Sequence, residues 1–570
     1  MPPEASPSVP LAVSRRGLLS AAAVAVGAAV ASPLLSACGS KGSGGPGTTG
    51  KNELQRALPS YLPNHSVTAD VPSVTGANGA ISDPCFLKYP ASPVTTVSGA
   101  VGSGGSYTTM TPLWGAIPPS AGNKYYDAVN KAIGATLKLQ PSDGNTYGNI
   151  LPPVFAADKL PDWIMIPGWL NVQLNLGEAM GTKFADLTPY LAGDKVKQYP
   201  NLANVPAAAW AAGVWNGKLY GIPTYPSAAV FNGAYFYRKD LLDKLGVSTA
   251  ELKSADDLFN LGKELTHASS GVWAFDDLFG QSAAYASQLF QFTNHWTADS
   301  AGKLIYKYET DQIVEALNWQ VKIVKAGYMH PDAVANTNQN GKQRFWSGKV
   351  YFEVDGTGAW NGSDAQSGTA ANPGYNRQAL PLMAADGKST PTIELGNGAA
   401  MFSYLNKKLS DAQIKECLAI ANYFAAPYGS AEWLKVNFGD EGVDYTMVDG
   451  NPVLTSAGNK EVATTYQFLA CPPAATTVSN GFTQVAKDYA TWQGQAVARA
   501  VKPLFYDMNI AEPSQYSSIN KPVDDTIDDV RFGRKPISAF TDAVATWRKQ
   551  GGDALRTFYD GIRDKYGTGQ

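Results

Sequence analysis

Strand-like and helix-like patterns alternate along much of this chain, and that alternation constrains the fold more than any single motif. From Thr109 a strand-like segment leads into a helix over about 122–134. Thr136-Leu137-Lys138-Leu139 reads as the next strand, and the alternation continues to about residue 355. This order predicts an α/β construction rather than a sandwich. The clearest helix covers 311–326, with Thr310 as N-cap, Asp311 in the first turn, an apolar stripe of Ile313, Leu317, Val321 and Val324, and Gly327 as the stop. A second is expected over 255–266, where Ser254 and Asp257 approximate a capping box. A third is expected over Asp411–Phe424, closed by Pro427 and Gly429. A final pair spans 539–549 and 553–566, broken by Gly551-Gly552. The Gly/Ser-rich stretch 356–374 reads as a loop or a crossover, and no fixed-period repeat is visible.

The 570 residues are 44% hydrophobic and 16% charged, a globular composition long enough for several cores. A net charge of −3 argues against a nucleic-acid partner, which would require a basic surface. At the front, Ser14-Arg15-Arg16-Gly17-Leu18-Leu19 precedes an alanine-rich apolar run ending in Leu35-Ser36-Ala37-Cys38-Gly39. Residues 1–37 therefore read as an export signal with paired arginines, and Cys38 as a lipid-attachment site. Residues 38–60, rich in glycine and serine at their start, are expected to be a flexible tether, with the folded body beginning between 60 and 75. Setting Cys38 aside leaves Cys85, Cys417 and Cys471, an odd number, so at least one stays unpaired within the chain.

Enzyme signatures are missing. There is no HExxH, phosphate-binding loop, dinucleotide fingerprint or GxSxG elbow. The four histidines, His65, His267, His295 and His330, form no short metal-ligand cluster. Asp276-Asp277, Asp355, Asp440-Glu441 and Asp444 could supply the two carboxylates of a glycoside hydrolase, which keeps that alternative open. Adjacent acids such as Asp276-Asp277 more often occupy turns or the surface. Residues 299–303 hold too few carboxylates for a calcium loop and read as a hairpin turn, and Asn336, Asn338 and Asn340 as a polar loop. No cofactor, metal or catalytic residue is expected.

Several segments carry a resemblance. They are Trp215-Asn216-Gly217-Lys218-Leu219-Tyr220-Gly221-Ile222-Pro223, then Phe236-Tyr237-Arg238-Lys239-Asp240-Leu241-Leu242, then Gly327-Tyr328-Met329-His330-Pro331. Phe345-Trp346-Ser347-Gly348-Lys349-Val350 and Gly358-Ala359-Trp360 follow, with Glu432-Trp433-Leu434 and Gly442-Val443-Asp444-Tyr445 further on. Together with the lipid-attachment signal, they resemble the extracellular solute-binding proteins of ATP-driven (ABC) importers, in the large sugar- or oligosaccharide-binding lipoprotein branch (family 1-like). The resemblance implies an α/β, two-lobe periplasmic-binding-protein-like fold (type II) with a hinge between the lobes. Residues 61–205 with parts of 356–470 would form the first lobe, and 206–355 with parts of 471–536 the second. Residues 537–570 would add C-terminal helices. It also implies a lipid-anchored monomer on the outer face of the cell membrane, partnered by permease subunits and performing no chemistry on its ligand. A non-transport surface receptor or adhesin is the remaining alternative.

Sugar recognition needs flat rings for C–H faces and polar groups for hydroxyls. The 13 tryptophans and 28 tyrosines are compatible with such a cleft. Trp215, Tyr220 and Tyr225 flank a Gly-Ile-Pro turn, and Trp360 adjoins a glycine-rich segment. Trp433 and Tyr445 bracket Asn437, Asp440 and Glu441, while Trp163 and Trp169 flank Ile164–Gly168. With Trp296 and Asp355 these are the candidate ligand-binding residues: Trp163, Trp169, Trp215, Tyr220, Tyr225, Trp296, Asp355, Trp360, Trp433, Asp440, Glu441 and Tyr445. For each aromatic residue the competing assignment is core packing. Arg238 and Lys239 could meet an acidic sugar, against the competing assignment of a surface or interlobe salt bridge.

Overall fold

The computed structural model describes residues 48–569 apart from 65, 66, 115, 172, 336–340, 480 and 511. The export signal, Cys38, the tether up to residue 47, His65, and the loop of Asn336, Asn338 and Asn340 lie outside the described residues. The strands that organise the molecule are β1 (Ser106–Leu113), β2 (Thr136–Asp143), β3 (Trp163–Pro167), β4 (Gly221–Thr224), β5 (Val230–Phe231), β6 (Ala234–Arg238), β7 (Trp273–Phe275), β8 (Val350–Asp355), β9 (Arg377–Ala379), β10 (Ile393–Gly396), β11 (Met401–Leu405) and β12 (Ala500–Val501).

A five-stranded sheet has the order β2-β1-β3-β11-β4. Strand β1 is parallel to β2 and β3, and β11 runs antiparallel between β3 and β4. A four-stranded sheet has the order β7-β8-β6-β9, with β7 parallel to β8 and β6 antiparallel to both of its neighbours. A three-stranded sheet, β12-β10-β5, adjoins the passages between the other two in sequence. The helices are set by local signals. Asn123 caps helix Lys124–Ile133 by accepting from the Tyr126 N–H, and Gly134, at φ +69°, closes it in the left-handed region. Ser254 and Asp257 form the complete capping box of helix Ala255–Leu265. Helix Asp311–Lys325 forms as expected, but its buried face is Ile313, Ala316, Leu317, Trp319, Gln320 and Ile323. Val321 and Val324 are half-buried and pack against the rim of the same core.

Each large sheet has its own core. The first joins Tyr107, Ile164, Trp163, Ile222 and Tyr404 to Val129, Leu418 and Ile420 from the helices. In the four-stranded sheet the alternation of side chains splits β6 between two clusters. Tyr235 enters the larger, which includes Phe275, Phe352, Ile323, Trp547 and Ile562, and Phe236 enters a smaller one with Trp360 and Trp492. The chain passes between the two regions through residues 225–229, 397–400 and 471–475, so at 356–374 it stays beside the four-stranded sheet. That stretch contains helix Ala365–Ala371, with Trp360 buried against Phe236.

Two expected boundaries shift. Residues 207–222, assigned to the second lobe, pack into the first core through Trp210, Val214 and Ile222. The tether also ends earlier: Thr48 and Thr49 are buried, Lys51–Ala57 is helical, and Ala57 lies in the first core. The segment that follows straps both regions together. Leu62 N–H donates to the Ala203 carbonyl, Asn78 Nδ2 donates to the Ala500 carbonyl, and Cys85–Phe86 pairs in parallel with Thr476–Thr477. Cys85, Cys417 and Cys471 are all buried free thiols. Among the described residues no helix is long and apolar enough to cross a membrane.

Candidate functional site

Strand direction decides where a ligand can be met. In the five-stranded sheet β1, β2 and β3 run the same way, and so does β4, because β3 and β4 are both antiparallel to β11. Their carboxyl ends at Leu113, Asp143, Pro167 and Thr224 therefore share one edge, the one from which the chain leaves β4 for the other region. In the four-stranded sheet β6 begins just after that passage, and Asp355 at the end of β8 pairs with Ala234 at its start. The carboxyl ends of β7 and β8 thus border the same passages. Ligands of open α/β sheets bind outside such strand ends.

The edge of the first sheet carries a row of rings. Trp169, just beyond β3, is 61% exposed, and its ring centroid lies 6.1 Å from that of Trp114, just beyond β1 and 44% exposed. Trp114 lies 5.6 Å from Phe468, and Phe468 lies 5.5 Å from Tyr225, just beyond β4 and 37% exposed. The turn after β2 supports Trp114: a Cβ on Gly144 would stand 2.4 Å from the indole, so a side chain there would displace the ring. Tyr225 holds φ at +50°, a costly backbone for a bulky residue, with its N–H on Cys471 Sγ and its hydroxyl donating to Gln467 Oε1 at 3.0 Å. Gln467 Nε2 in turn donates to Asn437 Oδ1 at 2.6 Å.

Charge, locked in pairs, marks the edge of the second sheet. Asp355 accepts from Arg377 Nη2 at 2.9 Å and pairs with Lys342 at 2.5 Å, while Lys342 also reaches Glu353 at 3.0 Å. Burial works to raise the Asp355 carboxyl, but Lys342 and Arg377 outweigh it and hold the group below its ordinary value. Burial pushes neighbouring Glu353 up to about 7 against the same two cations. Asp276 is gripped by Arg344 through two bonds of 2.6 and 3.0 Å, and Asp277 by Arg531 at 2.6 Å. Both acids are held in ion pairs with little exposure rather than on the surface, and Asp277 also closes a turn by accepting from the Phe279 N–H at 3.0 Å, as their spacing suggested. Gly233 lets β6 approach, since a Cβ there would stand 2.3 Å from the Asp355 carbonyl oxygen.

Other sequence candidates sit elsewhere. Trp163 is buried beneath the first sheet with Nε1 donating to Ser403 Oγ at 2.8 Å, and Trp215 and Tyr220 are buried in the same core. Trp296 is buried against Tyr306 and Tyr559. Trp360 is buried with Nε1 donating to the Arg377 carbonyl at 3.1 Å. These five rings are packing residues, because neither face is free to meet a ligand. Trp433 stacks on Tyr89 of the strap at 5.5 Å. Asp440 pairs with Lys435, Glu441 is exposed, and Tyr445 is buried in a hairpin beside Phe438. Arg238 is a buried intralobe pair with Asp240 rather than a surface or interlobe bridge. The row therefore unites Trp169 and Tyr225 with two residues that sequence reading missed, Trp114 and Phe468. The signal for Trp114 was its place directly after a strand and before a Gly/Pro-rich loop; Phe468 had none.

A model of the family described as bacterial extracellular solute-binding protein matches residues 124–439, more than half of the chain. The chain belongs to that family. Membership is that of a non-catalytic binder acting outside the cytoplasm. Over 491 residues this solute-binding protein is 23% identical to Lipoprotein LipO of Bacillus subtilis (strain 168), covering 81% of this chain and 92% of the relative. Over 167 residues it is 27% identical to the polygalacturonan/rhamnogalacturonan-binding protein YtcQ of the same organism, covering 28% of this chain and 32% of the relative. Among solved structures it resembles the N-glycan transport solute binding protein of Streptococcus pneumoniae, with a TM-score of 0.58, 15% identity, and coverage of 81% of this chain and 99% of that one. It also resembles the calcium-free alginate-binding protein AlgQ2, with a TM-score of 0.55, 15% identity, and coverage of 82% and 98%. The solute-binding protein thus has the mixed α/β architecture of periplasmic binders.

Proposed function

We propose that this solute-binding protein captures a sugar or oligosaccharide between its two sheet regions and delivers it, chemically intact, to the permease of an ATP-driven importer. The observation that carries this reading is the row Trp169–Trp114–Phe468–Tyr225 at the strand ends. The exposed rings of Trp169, Trp114 and Tyr225, backed by buried Phe468, suit the C–H faces of successive sugar units, and the amides of Gln467 and Asn437 beside them suit hydroxyls. Relatives whose names record polygalacturonan/rhamnogalacturonan and arabinooligosaccharide binding support the ligand class. In this reading the regions built on the two large sheets are lobes. Residues 225–229, 397–400 and 471–475 are the hinge, and ligand favours the closed form by its extra contacts there. The paired-arginine signal and Cys38 support export and lipid anchoring on the outer face of the membrane.

Calorimetry with mono- and oligosaccharides beside a peptide panel tests the ligand class. Glycan binding at micromolar or tighter affinity, with the glycan recovered unchanged, is the expected result. A tight peptide with no glycan response would overturn it.

A further inference from the structure

Resting on that reading, we infer that the cleft selects an oligosaccharide free of carboxylates and rejects uronate-bearing chains, because the cations beside the second sheet's strand ends are already bound to carboxylates of the protein itself and none follows the strand ends of the first. Six strands end at this border: β1, β2, β3 and β4 on one side, β7 and β8 on the other. In the four residues that follow each end there is no lysine or arginine. A ligand carboxylate taken out of water needs a cation or several donors aimed at it, and is strongly disfavoured without them.

The cations beside the second sheet's strand ends are committed. Lys342 is shared by Glu353 and Asp355, and Arg377 by Asp355 and Asp364. Arg344 forks onto Asp276, and Arg531 onto Asp277 and Asp528. Not every carboxylate at the border is neutralised. Besides these pairs, Asp143 at the end of β2 accepts from the N–H and Nδ2 of Asn145 at 3.0 and 3.1 Å, closing its own turn. Among the described residues, the cations at these strand ends are therefore all ion-paired, while Asp143 and, beside the first passage, Asp83 have only neutral partners. Hydroxyl groups can join such an arrangement, whereas a ligand carboxylate would have to break one of the ion pairs.

The test uses calorimetry on the exported chain with length-matched probes: neutral malto- and arabino-oligosaccharides, and oligogalacturonides. A neutral probe should bind at least 100-fold more tightly than the oligogalacturonides. The variant Asp355→Asn should leave Lys342 and Arg377 one carboxylate short and raise oligogalacturonide affinity at least tenfold. An oligogalacturonide binding within tenfold of the best neutral probe would overturn the inference while leaving sugar capture standing. So would an unchanged charge preference in a folded Asp355→Asn protein. If that variant fails to fold, the panel on the unaltered chain decides alone. Absence of binding by every glycan would overturn both this inference and the reading beneath it.

Discussion

Asp83 on the N-terminal strap accepts the hydroxyl of Ser227, in the first passage between the sheet regions, at 2.8 Å. The same residue exchanges two bonds with Gln493 on helix Thr483–Val497, its N–H donating to Oε1 at 2.7 Å and its Oδ2 accepting from Nε2 at 2.9 Å. The strap therefore ties a passage to a helix of the far region, beside a cavity of about 610 Å³ lined by Pro72, Pro206, Tyr428 and Pro473 among others. Asp83→Ala should cost about 1–3 kcal/mol, the usual penalty for stranding buried polar partners. It should also change glycan affinity without touching the aromatic row. Urea unfolding and calorimetry check the pair of effects; intact stability and intact affinity together would show the strap to be passive.

Trp114 and Trp169 are exposed at strand ends, whereas Trp163 is fully enclosed. Trp114→Ala and Trp169→Ala should each weaken glycan binding by tenfold or more while moving stability by less than about 1 kcal/mol. Trp163→Ala should cost about 3–5 kcal/mol through the cavity it leaves. Thermal unfolding and titration of the three variants separate recognition from packing. Equal losses of stability across all three would remove the row from the cleft.

The α/β class and the main helices were legible because caps and periodicity are local. Asn123, Ser254 and Gly134 act on residues a few positions away, and each is where a helix begins or ends. The candidate site was half legible. Trp169 and Tyr225 stand beside turns that can be read, but their neighbours Trp114 and Phe468 come from segments far apart in the chain. Nothing local distinguishes exposed Trp169 from buried Trp163, since both flank the same apolar strand and only the sheet pairing with β11 covers one of them. The tether was read too long because the burial of Thr48 and Thr49 depends on the surface of the first core, which short-range composition does not report.

Arg238 illustrates the same limit and carries its own test. Its guanidinium is fully buried, with Nε and Nη2 on the two oxygens of Asp240 at 2.9 and 2.8 Å, and Nη1 donating to the carbonyls of Phe345 and Trp346. The Tyr375 ring lies 4.7 Å from its Cζ. This staple holds β6 against the turn before β8, and a lysine cannot reproduce the planar fork. Arg238→Lys should destabilise the protein measurably, and Arg238→Ala by about 3–5 kcal/mol, by leaving Asp240 buried and unpaired. Chemical denaturation measures both; a loss below about 1 kcal/mol for the alanine variant would contradict the staple.

Asp507 supplies a pH-dependent cost. Burial pushes its carboxyl from an ordinary 3.8 up to about 7, with Lys502 working against the shift. Its Oδ1 is buried without a hydrogen-bond partner, and its φ is +59°. In the unfolded chain the group ionises from pH 3.8 upward, while in the folded chain it keeps its proton until about 7. The folded state thus binds more protons across that window, so this residue's contribution is fully present below pH 3.8 and is lost as pH rises through 7. A shift of that size corresponds to a loss on the order of 4 kcal/mol. Asp507→Asn removes the titration and suits the left-handed backbone, which asparagine tolerates well. Urea unfolding of both proteins at matched pH values should show similar stability near pH 4 and a growing advantage for the variant toward pH 7.5. His295, held down to about 4 by burial, titrates in both proteins and cancels from the difference. A gap that stays constant over that range would mean that Asp507 ionises in the folded state as freely as in the unfolded one.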